Sequence, residues 1–283
     1  MTAVNVQQAL QLARQHTRDD GETFTLEAQV LLADILGRSR SSLLTHPELE
    51  LNPDQEQSYR TDLEQIAAGV PLAYLLGWKD FYGRRFEVTR ETLIPRPETE
   101  QLVERALETL SGLSRPRIVD VGTGSGCIAI TIACEWEQGS LLASDRSMAA
   151  LSVAKRNAST HAVGGRIEWM QADLLRPVRA RFDLVCANLP YIPSGRLPAL
   201  AVSEYEPAGA LDGGREGMDH TARLIHQLPG TLAPHGTALL EIDQDQGQPL
   251  AAIARECLPA SDIDVEIDSA GLERLLIIRR GAA

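Results

Sequence analysis

Between residues 117 and 188, four short and mostly apolar runs recur with spacers between them: RIVDV (117–121), SLLASD (140–145), RIEWM (166–170) and FDLVCAN (182–188). Some of the spacers are patterned as helices, one through Ile128, Ile132 and Ala133 and one over SMAALSVAKRNAS (147–159). Strands without polar alternation are buried on both faces, and parallel neighbours need a crossover, usually helical, to connect them. GTALLEID (236–243) adds a further strand, while DIDVEI and ERLLIIRR are joined only by a short connection at Ser269–Leu272. That connection is too short for a crossover, so the last two strands form an antiparallel pair at one edge. The expected architecture is α/β: a doubly wound, Rossmann-like sheet, mostly parallel, with an antiparallel C-terminal hairpin and helices on both faces.

The segment before this sheet has a different texture. Val6, Leu10 and Ala13 recur at helical spacing, as do Leu26, Val30, Ala33 and Leu36 ahead of a stop at Gly37. Asn52, Pro53 and Gln55 stand as cap, first helical residue and capping-box partner of a third helix that runs through Leu63 and Ile66 to Gly69. These helices are read as a small bundle over 1–75. GWKDFYGRRFEVTRETL concentrates Trp78, Phe81, Tyr82 and Phe86 in a chain only 4% aromatic. It is read as a β-hairpin connector over 76–95, leaving 96–283 as the catalytic domain. A chain of 283 residues exceeds the usual single-domain size of about 100–150, which agrees with two unequal domains.

Charge and cysteine content narrow the class. Thirty-nine acidic against 27 basic residues give a formal charge of −12. Such a chain lacks the electrostatic footprint of a general nucleic-acid binder, so direct nucleic-acid binding is not expected. Cys127, Cys134, Cys186 and Cys257 form no CxxC pair and share no ligand spacing with histidines, so neither a metal site nor a disulfide framework is expected. No charged-then-apolar leader and no apolar run of about 20 residues occurs, and the expected state is a cytoplasmic monomer.

Gly122-Thr123-Gly124-Ser125-Gly126 lies between the first strand and its helix, where amide groups and the absence of side chains let a ligand approach the backbone. Asp145 closes the next strand, placed to accept hydrogen bonds from two ribose hydroxyls. Cys127 occupies the third position of the dinucleotide fingerprint, a departure from the nicotinamide pattern. Asp173, at the end of the following strand, is either a turn-former or an acceptor for an adenine amino group with Leu174 against the ring.

FDLVCANLPYIP carries the chemistry. The strand delivers Asn188 to the carboxyl edge of the sheet, where ligands of open α/β sheets bind. A planar NH2 group conjugated to a carbonyl or ring is a poor nucleophile. The Asn188 side-chain oxygen and the Leu189 carbonyl together accept its two hydrogens, aim its lone pair and stabilise the nitrogen as it pyramidalises. Pro190 fixes the backbone, and Tyr191 offers a flat face for stacking. In LIPRPETE (93–100), Pro97, Glu98 and Glu100 make a helix start with acids at the positive dipole end, leaving Arg96 to line the substrate groove. LDGGREG (211–217) reads as a loop with tight turns or as a cap over the site.

The order GTGSG, Asp145, Asp173, NLPY resembles class I methyltransferases of amino groups. With PLAYLLGWKDFYGRRFEV, LIPRPETE, YEPAGALDGGREGMD and LLEID, residues 70–280 or so resemble the peptide chain release factor N5-glutamine methyltransferases. The resemblance implies methyl transfer from S-adenosylmethionine to the glutamine of the GGQ loop of class I release factors, with S-adenosylhomocysteine as product. It implies cofactor contacts from Gly122 to Gly126, Asp145, Asp173, Leu174 and Asn188, and glutamine contacts from Asn188, Leu189, Pro190 and Tyr191. The N-terminal helices would then grip the release factor. Two positions depart from the family pattern: Leu189 replaces the usual second proline of NPPY, and Asp243 stands where glycine usually follows EI. A ribosomal-protein glutamine methyltransferase and a nucleic-acid adenine-N6 methyltransferase share much of this pattern. An NAD-dependent oxidoreductase would leave NLPY idle.

Overall fold

The computed structural model describes residues 4–15 and 21–282. The chain divides into two compact units, 1–77 and 78–283. Among the described residues the first holds five helices: α1 (Val6–Gln15), α2 (Gly21–Ile35), α3 (Arg40–Thr45), α4 (Pro53–Ala67) and α5 (Leu72–Leu76). The capping box of α4 forms in full: Gln55 N–H donates to Asn52 Oδ1 at 2.8 Å, and Asn52 N–H donates to Gln55 Oε1 at 3.0 Å. Both bonds satisfy amides that a helix start leaves unpaired. The core of this unit is built on Val6, Ala9, Leu31, Leu32, Leu43, Tyr59 and Leu63. One sequence-derived face shifts in part: α2 buries Ala28, Leu31, Leu32 and Ala33, so of the expected stripe Ala33 is in the core while Leu26 is 44% exposed. Adjacent leucines at 31 and 32 outweigh the wider-spaced pattern because together they bury more apolar surface.

The second unit begins with the hairpin β1 (Trp78–Phe81) and β2 (Arg84–Glu87). It is no free-standing connector, since Phe81 and Phe86 enter the same core as α6 (Thr99–Leu110). Next come β3 (Arg117–Val121), α7 (Cys127–Glu135), β4 (Ser140–Asp145), α8 (Met148–Thr160), β5 (Ile167–Gln171) and β6 (Phe182–Asn188). Short helices α9 (Ala208–Leu211), α10 (Asp219–Ile225) and α11 (Leu228–Thr231) lead into β7 (Leu232–Glu241), followed by α12 (Gly247–Cys257), β8 (Asp262–Ile267) and β9 (Glu273–Arg279).

The seven-stranded sheet runs in the order β5-β4-β3-β6-β7-β9-β8. Strands β3 to β7 are mutually parallel, and β9 lies antiparallel between β7 and β8. The C-terminal pair is therefore an antiparallel edge hairpin, with its second strand inserted inward. Alternate residues feed two cores. Ile118, Leu184 and Leu239 pack toward α6 and α7, and Val119, Val185 and Leu240 pack toward α10 and α12. After β3 the chain winds outward through β4 and β5, then returns to β6 on the other side of β3. That reversal opens a crevice at the carboxyl ends of β3 and β6.

Candidate active site

The crevice holds a cavity of about 280 Å³. Of the residues singled out in the sequence, Arg96, Gly122, Thr123, Gly124, Ser125, Asp145, Asp173, Leu174, Asn188, Leu189 and Pro190 line it. Gly126 and Tyr191 stand outside its wall. Gly126 begins α7 with φ 84°, and a Cβ there would meet Ile130 at 2.7 Å and Ala154 at 3.1 Å. Its smallness serves the packing of α7 on α8.

The glycine loop is held by local bonds. Gly122 and Thr123 N–H both donate to the Ser144 carbonyl, at 2.8 and 2.9 Å. Asp145 uses one oxygen to accept from Gly124 N–H (2.9 Å) and the other to accept from Ser147 N–H (2.8 Å). Burial pushes its pKa up while these amide bonds pull it down. Beneath the loop, Asp120 is fully buried and accepts from the Thr123 hydroxyl and Ala129 N–H. Burial pushes this carboxyl up to about 7. Leu174 sits in the left-handed region at φ 56°, a strained conformation for a branched residue and one that clusters at functional sites. Asp173 forms an ion pair with Arg223, so one of its oxygens is engaged on the rim.

The other end is braced from afar. Asn188 Nδ2 donates to Thr99 Oγ1 at 2.9 Å. The Leu189 side chain turns inward, 5% exposed, and its Cδ2 would lie 2.8 Å from a Cβ on Gly122. Only glycine fits there, at φ 74°. The Tyr191 carbonyl accepts from Gln246 Nε2 at 2.9 Å, and Gln246 Oε1 accepts from Asp243 N–H at 3.0 Å. Burial raises the Tyr191 phenol to about 12, with Glu241 adding to the rise and Arg274 and Arg96 opposing it. None of residues 211–217 lines the cavity. That loop instead pairs with the chain after Tyr191: Ile192 N–H donates to the Leu211 carbonyl, and Gly213 N–H donates to the Ile192 carbonyl. Gly217 approaches so closely that a Cβ would meet the Tyr191 carbonyl at 2.2 Å.

Arg96 is tied by an ion pair to Glu206, whose other oxygen accepts from Ile94 N–H at 3.1 Å. Glu206 is nearly sealed from solvent, so it anchors Arg96 at the cavity wall. Asp243 lies 3.5 Å from the Arg196 guanidinium and accepts from Gln244 N–H, which gives this unusual residue a local role in the turn after β7. Thr99, Glu206, Glu241 and Gln246 are the polar supports of Asn188, Arg96 and Tyr191 that sequence reasoning did not single out, and Ala172 and His220 are among the wall residues it also missed. An acid closing the apolar run TALLE was the one available signal, because a carboxylate in such a strand end is buried at a cost unless something uses it. Among the described residues no cluster of His, Cys, Asp and Glu is arranged to hold a metal, and no helix is long and apolar enough to cross a membrane.

Comparison with known proteins covers both units. Residues 8–77 match the PrmC N-terminal domain, and residues 99–202 match the Methyltransferase small domain. The release factor glutamine methyltransferase of Bordetella pertussis is 39% identical over 255 residues, spanning 88% of this chain and 93% of its own length. That of Coxiella burnetii is 34% identical over 282 residues, spanning 98% of this chain and its entire length. Among solved structures, the hMettl16 catalytic domain in complex with MAT2A 3′UTR hairpin 6 shares the fold. Its TM-score is 0.55 at 14% identity, covering 76% of this chain and 91% of that one.

Proposed function

The chain belongs to the release factor glutamine methyltransferase family, and from that premise we propose that it methylates the side-chain amide nitrogen of the GGQ glutamine in a class I peptide chain release factor. One observation carries the reading: Asn188, Leu189 and Pro190 share a single cavity with Gly122–Ser125 and Asp145. The residues fit S-adenosylmethionine as methyl donor. Gly122 and Gly124 leave the loop open to close approach, Asp145 has carboxylate lone pairs beyond those given to Gly124 and Ser147, and Leu174 and Ala172 supply apolar wall. When bound, that donor supplies an electrophilic methyl group on a sulfonium.

The protein's own work is then orientation. Asn188 Oδ1 and the Leu189 carbonyl accept the two hydrogens of the glutamine amide, which localises the nitrogen lone pair and aims it. As positive charge develops on that nitrogen, both acceptors stabilise it. Pro190 holds the two carbonyls in register, and Tyr191 bounds the glutamine-binding end from just outside the cavity wall. Arg96, anchored by Glu206, borders the same end. The N-terminal helices are assigned to gripping the release factor, and the reaction is placed in the cytoplasm, without a metal and with the enzyme as a monomer.

The test is transfer of labelled methyl from S-adenosylmethionine to purified release factor, beside a factor whose GGQ glutamine is replaced by alanine. Label on the first alone supports reaction, substrate and position together. Label on neither, with label on a ribosomal protein or on nucleic acid instead, would reject the release factor as substrate. The net charge of −12 weighs against the nucleic-acid outcome.

A further inference from the structure

Glu241 ends β7 directly across from Asn188, its register partner at the end of β6. It is 2% exposed, and no bond of full geometry reaches either carboxyl oxygen, although the Thr99 and Asn188 side chains lie close enough to stabilise its ionised form. The polar side chains facing it are Thr99 and Asn188, with Arg274 and Glu98 as the charged neighbours and Tyr191 and Cys127 also within its field. Arg274 is already committed to Asp268, at 3.1 Å. A buried carboxyl with so little to neutralise it is costly and calls for an explanation in terms of use.

The directions of the hydrogen bonds supply one. A carboxylate only accepts, whereas a threonine hydroxyl both donates and accepts. Thr99 Oγ1 accepts from Asn188 Nδ2, which leaves its own hydrogen to point at Glu241. The chain of donors then runs from Asn188 through Thr99 to Glu241 and has only one sense. Asn188 must present its nitrogen backward to Thr99, and so its oxygen forward. An asparagine amide lacking that constraint turns over readily, and a flipped Asn188 would set donor against donor on an NH2 substrate.

We propose that Thr99 and Glu241 are positioning residues that hold the Asn188 side chain with its oxygen, not its nitrogen, toward the methyl-accepting amide. The proposal rests on the reading of Asn188 as an acceptor of the substrate amide's hydrogen. Thr99 enters the site from α6, so the helix that begins in LIPRPETE contributes a working part as well as a structural start. Burial holds the Glu241 carboxyl up at about 7, so its capacity to polarise Thr99 is gained as pH rises through neutrality.

The experiment measures kcat and KM for methylation of purified release factor by the full chain, together with affinity for S-adenosylhomocysteine and the thermal midpoint, in four variants. Thr99→Val removes the hydroxyl at nearly constant volume, and Thr99→Ser keeps it. Glu241→Gln keeps the volume but loses the charge and offers a donor as well as an acceptor, so the sense of the chain is no longer enforced. Thr99→Val and Glu241→Gln are expected to lower kcat roughly 10- to 100-fold, the range for removing a group that orients a primary contact. Product affinity should hold, and Thr99→Ser should stay close to wild type. Wild-type kcat should fall as pH drops through about 7, and Glu241→Gln should lack that part of the fall. Full turnover in folded Thr99→Val, or a Thr99→Ser as impaired as Thr99→Val, overturns the proposal. So does a Glu241→Gln with wild-type kcat. Asn188→Ala is the fourth variant: full turnover there would sink the reading of Asn188 itself, whereas its collapse beside an unimpaired Thr99→Val sinks only the positioning proposal.

Discussion

The two ends of the cavity are held in opposite ways. At the glycine loop, bonds run between near neighbours along adjacent parallel strands: Ser144 and Asp145 receive the amides of Gly122, Thr123 and Gly124. At Asn188–Tyr191, support arrives from α6, from β7 and the turn after it, and from the 211–217 loop, all distant in sequence. One end is a self-contained backbone cradle. The other is a short loop clamped by side chains that the rest of the fold must first bring into place. Damage at the cradle should therefore appear as lost cofactor affinity, and damage at the clamp as lost turnover.

The sharpest way to break this contrast is Asn188→Ala. Loss of a positioned hydrogen bond to the reacting group should cost ~10²–10³ in kcat. Affinity for S-adenosylhomocysteine, measured by calorimetry, should barely move. A variant with full turnover would make Asn188 structural. Asp145→Ala should show the inverse pattern, with product affinity falling roughly 10- to 100-fold as charge-assisted bonds are lost. Equal affinity would remove Asp145 from the cofactor site.

A third variant, Gln246→Ala, breaks the clamp without entering the cavity. It removes the bonds to the Tyr191 carbonyl and Asp243 N–H, at about 1–3 kcal/mol of stability, and kcat should drop while product affinity persists. If affinity fell instead, the two ends would not be separable. The smallest expected effect comes from pH. Glu241 has its folded pKa at about 7, above its ordinary 4.5, so the folded chain keeps this proton longer than the unfolded one. Its contribution to stability therefore declines as pH climbs from about 4.5 to about 7 and stays low above that. Thermal midpoints of wild type and Glu241→Gln should diverge across this window, with the glutamine variant gaining. Parallel curves would mean that Glu241 ionises as an ordinary surface acid does.

Legibility in the sequence followed the same divide. The sheet, its antiparallel edge and the α4 capping box were readable because each depends on local pattern: apolar runs, short connections, and Asn52 spaced from Gln55. The cradle was readable for the same reason, since GTGSG and Asp145 lie within one strand-helix-strand unit. Thr99 and Gln246 were not, because their partners are set by tertiary register, and a threonine in a helix start carries no mark of the strand it will face. The hairpin was recognised as such, but its two phenylalanines gave no sign that they would join the core of the second unit rather than bridge two bodies. On α2 the periodic reading picked Leu26 over Leu31 and Leu32, since spacing alone does not say which of two overlapping apolar stripes has a neighbour to cover it.

Leu189 brings the two ends into contact, its side chain filling the space that a Cβ on Gly122 would need. Positions 122 and 189 are thus one packing unit shared by two motifs, and neither is free to drift alone. The leucine within the strand-end loop adds a steric demand for glycine to the one that the φ of 74° at position 122 already makes. Any side chain placed at 122 would therefore have to displace the leucine that lines the same floor as well as strain its own backbone.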